Sequence, residues 1–76
     1  MNTATIDARA TGTKIWSLRE ENGLTVEELS ELLGLAGPRA LYKWMNGETL
    51  PTLKNLIALS AIFNTSLDDM IVRRAA

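Results

Sequence analysis

The sequence predicts an all-α fold, a compact bundle of five short helices. Three observations carry that prediction. Apolar residues recur at three- and four-residue spacings, and no window keeps the strand period for long. Capping residues and glycines or asparagines divide the chain into pieces of helical length. A chain of 76 residues, 46% of them hydrophobic, has material for one small core.

The first helix is predicted to start at Asp7, or at Thr11 if the opening residues fray, and to carry Ile15 and Leu18 inward. Gly12, one turn earlier, allows a neighbour to approach closely. Asn22-Gly23 ends this helix. Residues 1–6 read as a flexible N-terminal arm, and 7–76 as one domain. Thr25-Val26-Glu27-Glu28 fits a capping box: the Thr25 hydroxyl accepts from the Glu28 N–H while the Glu28 carboxylate reaches back. The second helix then turns Leu29, Leu32 and Leu33 toward the core, and Gly34 suits the left-handed conformation at its end.

Pro38 fits the first position of a third helix, Pro38–Asn46, because its missing N–H would have no intrahelical partner there. Thr52 caps a fourth helix with Leu53, Leu56, Leu59 and Phe63 at helical spacing, and Ile57 and Ile62 beside them. Asn64-Thr65 breaks it. Ser66-Leu67-Asp68-Asp69 opens a fifth helix with two carboxylates at the positive end of its dipole and Arg73-Arg74 at the negative end.

Composition excludes several functions. With no Cys and no His, the chain lacks a thiol nucleophile, a disulfide, a histidine base and the usual ligands of zinc. An enzyme is disfavoured, and no metal or cofactor is expected. No apolar run approaches the roughly 18 residues of a membrane span, and MNTATIDARA has neither a charged nor an apolar leader region. The expected location is the cytoplasm, with no membrane partner. Eight Lys plus Arg against nine Asp plus Glu give a net charge of −1, so the placement of charge matters more than its sum.

Within "GLAGPRALYKWMNG", Leu41, Trp44 and Met45 form a buried stripe on the third helix. Arg39, Tyr42, Lys43 and Asn46 share the other side. These groups suit phosphates and base edges, and Arg can bond a guanine edge through two hydrogen bonds. The residues alone are equally consistent with ordinary solvated charges and an interfacial phenol. Lys14 and Lys54 are further candidate phosphate contacts, Lys54 the better placed because helix-start N–H groups also favour an anion. Glu27, Glu28 and Glu31 read as a solvated helix face. Trp16 falls toward solvent on the first helix, where it marks a contact with another chain or folds over the arm.

The segments "KIWSLREENGLTVEELSELLGL", "LYKWMNGETLPTL" and "NLIALSAIFNTSLDDMI" resemble, in order and spacing, the XRE family of phage repressor and Cro-type helix-turn-helix regulators. The resemblance runs from about Asp7 to Val72 and implies a lambda-repressor-like bundle. It implies that Thr25–Leu33 is the supporting helix and Pro38–Asn46 the recognition helix in the major groove. It also implies that Arg39, Tyr42 and Lys43 read bases while Thr25, Asn46, Lys54 and Lys14 touch the DNA backbone. The chain departs from the family pattern at four places. Val26 stands where Gln often contacts a phosphate, and the turn before Pro38 is one residue longer than the commonest form. Met45 replaces a Glu that usually pairs with the arginine matching Arg19, and Ser30 occupies a usual Ala site, its hydroxyl able to bond the preceding turn.

The function implied is a sequence-specific DNA-binding transcriptional regulator whose partner is double-stranded DNA, acting as a homodimer. Leu67, Met70 and Ile71 of the fifth helix are the simplest dimer contact. Two alternatives use the same domain. One is an antitoxin or restriction-modification controller, and the other is a protein-interaction module that has lost DNA binding and serves a protein partner.

Overall fold

The computed structural model describes residues 4–75. Five helices follow one another: α1 (Ala8–Glu21), α2 (Val26–Leu32), α3 (Arg39–Met45), α4 (Leu53–Phe63) and α5 (Leu67–Met70). Two short strands, β1 (Ala4–Ile6) and β2 (Arg73–Ala75), pair antiparallel with Thr5 opposite Arg74 and so join the two ends of the described chain.

Local chemistry fixes most helix starts. Asp7 accepts from the Ala10 N–H at 3.0 Å and Thr52 from the Asn55 N–H at 3.2 Å. Ser66 accepts from the Asp69 N–H at 3.1 Å. Thr25 and Glu28 form both halves of the capping box, at 2.8 and 3.0 Å. Each bond satisfies a backbone donor that the first turn leaves without an intrahelical partner. After α2, Gly34 takes φ 71°, and the Leu35 N–H reaches back to the Ser30 carbonyl at 3.0 Å. Asn64 ends α4 in the same left-handed region, at φ 50°.

One core serves all five helices: Ile15, Leu18, Leu29, Leu41, Trp44, Leu56, Leu59, Phe63 and Met70 are buried together. α1 and α3 approach each other closely at Gly12. A Cβ on Gly12 would lie 1.8 Å from the Trp44 carbonyl oxygen, so only glycine lets the backbones meet. Thr11, fully buried beside it, accepts from the Val72 N–H at 3.0 Å and donates to the Val72 carbonyl at 3.4 Å.

Several expectations are corrected. Residues 4–6 of the expected arm are a strand, because Arg73–Ala75 offer them a paired edge; residues 1–3 lie outside the described residues. The fifth helix stops at Met70, and Arg73 and Arg74 sit in β2 instead of at a helix end. Arg73 bonds Asp68 at 2.7 Å and Arg74 bonds Asp7 at 3.1 Å. Pro38 is the cap of α3, one position earlier than expected. Leu32, Leu53 and Ile57 are exposed at 58, 66 and 54%, since α2 and α4 bury narrower stripes than their apolar residues suggest. Met70 is fully buried, which takes it from a dimer surface, while Leu67 and Ile71 are half-buried against the core. The Ser30 hydroxyl is buried without a hydrogen-bond partner among the described residues, so the expected bond to the preceding turn is absent.

Candidate nucleic-acid interface

The recognition segment is built from its buried side outward. Leu41 and Trp44 anchor α3 in the core, with Met45 half-buried next to them. That anchoring leaves Arg39 and Tyr42 exposed and Lys43 half-exposed. Arg39, Tyr42 and Lys43 line one shallow open groove with Pro38 and Glu48. Arg39 and Lys43 also border an adjoining depression that follows the turn through Leu35, Ala36 and Gly37. Three donors of the expected base-reading set therefore share a surface.

Charge is sorted across the molecule. Among the described residues the ion pairs join Arg73 to Asp68 and Arg74 to Asp7, so Arg39 and Lys43 have no carboxylate partner within 4 Å. Glu28 and Glu31 border a different depression with Leu24 and Leu32. Two carboxyls are held below the usual range. Asp7 is lowered first by the Ala10 N–H and then by the Arg74 guanidinium, and Glu28 by the backbone N–H and then the hydroxyl of Thr25.

The other expected contacts are dispersed. Thr25 is exposed, and its oxygen accepts the capping bond from the Glu28 N–H. Asn46 caps the end of α3 and is exposed. Lys14 on α1 and Lys54 at the start of α4 are exposed and lie outside the groove of Arg39, Tyr42 and Lys43.

Two residues beside the groove were not anticipated. Glu48 borders it because the turn at Gly47 folds the chain back, with the Glu48 N–H donating to the Lys43 carbonyl at 2.9 Å. Trp16 is half-buried, and its ring centroid lies 5.6 Å from that of Tyr42 at a tilt of 47°. It is therefore only partly turned to solvent. The Arg19 guanidinium lies 4.5 Å over the Trp16 ring and donates to the Leu24 carbonyl at 2.7 Å, partners that occupy it where the family's usual glutamate is Met45. The three-residue step from Trp16 to Arg19 is the sequence signal that places both on one face.

A family model described as Helix-turn-helix matches residues 17–70, which include the supporting helix, the turn and α3. The chain belongs to the XRE-type helix-turn-helix family. DNA-binding regulation of transcription is the role of that family. No curated protein matches the chain. The helix-turn-helix domain resembles two solved structures at 23% identity, a level that establishes the fold. The clp gene regulator ClgR from Corynebacterium glutamicum superposes with a TM-score of 0.73 over 87% of this chain and 84% of that one. The restriction-modification controller protein C.AhdI from Aeromonas hydrophila gives 0.74 over 84% and 91%. Among the described residues of this helix-turn-helix domain, no helix is long and apolar enough to cross a membrane.

Proposed function

We infer that this protein is a cytoplasmic, sequence-specific DNA-binding transcriptional regulator that places α3 in the major groove. The observation that carries the reading is the grouping of Arg39, Tyr42 and Lys43 on one open groove, with neither cation paired to a carboxylate among the described residues. Those three side chains read base edges, and Arg39 is the best suited to a guanine. Thr25, Asn46, Lys54 and Lys14 contact phosphates and set the register of the domain on the duplex. Val26 offers no polar group to a phosphate, so that anchor falls to the neighbouring Thr25 hydroxyl.

A helix of seven residues spans about 10 Å and reads only a few base pairs. Specificity then requires a homodimer with its two recognition helices about 34 Å apart on a near-palindrome. With Met70 in the core and Leu67 and Ile71 half-buried against it, the second copy is assigned to Leu53 and Ile57, exposed one turn apart on α4, with Leu50 before them.

Selection of bound sequences from a random duplex pool, run for the wild type and Arg39→Ala, tests the reading. The wild type is expected to enrich a two-fold site, and the variant to relax one position per half at a cost of about 1–3 kcal/mol. Affinity should fall by about 0.9 log unit per log unit of salt for each phosphate contacted. If nothing is enriched at low salt and charge reversal at Arg39 leaves the protein's biological effect intact, its function lies with a protein partner.

A further inference from the structure

Tyr42 is the one aromatic lining the groove, and it is exposed on α3. An exposed phenol on a helix samples more than one rotamer, and a side chain that must be immobilised on binding weakens the complex and blurs its choice of base. The restraint comes from α1. Trp16 packs its ring at 5.6 Å from Tyr42, within the range of favourable aromatic pairs, and is itself half-buried against the core. Arg19 lies 4.5 Å over the same indole, a cation–π distance, and its bond to the Leu24 carbonyl ties the guanidinium to the loop before α2. The Arg19 Nε is buried and has no other partner among the described residues, so the indole and Leu24 are what hold this cation.

We propose that Trp16 is a positioning residue for Tyr42, and that the Arg19–Trp16–Tyr42 cluster sets the direction of the phenol and hence the base preference at the pair Tyr42 reads. The proposal rests on the DNA-binding reading above. It places a determinant of specificity one residue before the segment that matches the family model, on a helix that itself enters no groove.

The test is a double-mutant cycle on the full chain with Trp16→Ala, Tyr42→Ala and both, read as affinity for the selected duplex, for each single base-pair variant of it and for random duplex. Trp16→Ala is expected to reduce discrimination about threefold to tenfold at the base pair affected by Tyr42→Ala, and to add nothing once Tyr42 is gone. Random-duplex affinity and its salt slope should stay unchanged, and Trp16→Phe should recover part of the preference. Thermal melts accompany each variant, and if Trp16→Ala does not fold, Trp16→Leu, which keeps apolar bulk without the ring, takes its place in the cycle. Equal weakening on all duplexes, or additive effects in the double variant, overturns the positioning role while leaving DNA binding intact. A wild type that prefers no sequence overturns both.

Discussion

At Gly12 a single missing methyl decides how closely α1 and α3 approach. An alanine there would put its Cβ 1.8 Å from the Trp44 oxygen and 2.6 Å from the carbonyl carbon, both backbone atoms that no rotamer change relieves. Gly12→Ala is expected to lose about 3 kcal/mol or more, a large share of what a domain of this size has, measured by urea denaturation. An unchanged midpoint would mean the two helices can separate without loss. The same contact seats α3, so the variant should also weaken DNA binding wherever it remains folded. Ser30 is the opposite case at this scale: a buried hydroxyl without a partner, at a site where a methyl would cost nothing in hydrogen bonding.

The starts of α1, α2, α4 and α5 depend on a few side-chain capping bonds, and two of those bonds involve ionised groups. The Asp7 and Glu28 carboxylates bind backbone N–H groups in their charged forms, so folding lowers both affinities for a proton. The sign follows: their contribution is fully present above the unfolded-state value and is lost as pH falls through the lower folded value. The melting temperature should be flat above about pH 5 and decline below about pH 4. Glu28→Gln, which keeps an acceptor for the Thr25 N–H, should flatten part of that decline. Thermal melts across an acid series check it, and identical acid limbs for the two proteins would remove Glu28 from the account. The recognition helix differs from the others because α3 has no side-chain cap, so its position depends on Leu41 and Trp44 in the core.

Over the whole molecule, a net charge of −1 coexists with a groove where Arg39 and Lys43 outnumber Glu48, because other acidic residues lie elsewhere, Glu28 and Glu31 among them. Long-range attraction to DNA is therefore weak, while local contact remains favourable. Assembly belongs to this scale as well. Burying Leu53 and Ile57 against a second copy gains apolar area that an exposed helix face wastes. Replacing both by lysine should leave the monomer folded, since both side chains are exposed. It should convert the proposed dimer to single chains in sedimentation and cost the two-fold site more affinity than a half-site. A wild type that sediments as a monomer at binding concentrations would sink this placement.

Sequence alone determined what local chemistry controls. The caps and stops of α1, α2 and α4 and the grouping of Arg39, Tyr42 and Lys43 on one helix face follow from interactions within a few residues. The helix-turn-helix family was legible for the same reason, its signals being short and in register. Tertiary structure decided what depends on partners distant in the chain. A three-residue strand is too short to show a period, and β1 exists because β2, some seventy residues on, supplies its hydrogen bonds. Leucine-rich stripes did not say which leucines face inward, because burial is set by where the other helices lie; Leu32, Leu53 and Ile57 ended outside and Met70 inside. Trp16 could not be placed from α1 alone, since its neighbour Tyr42 reaches it only when Gly12 brings α3 against α1.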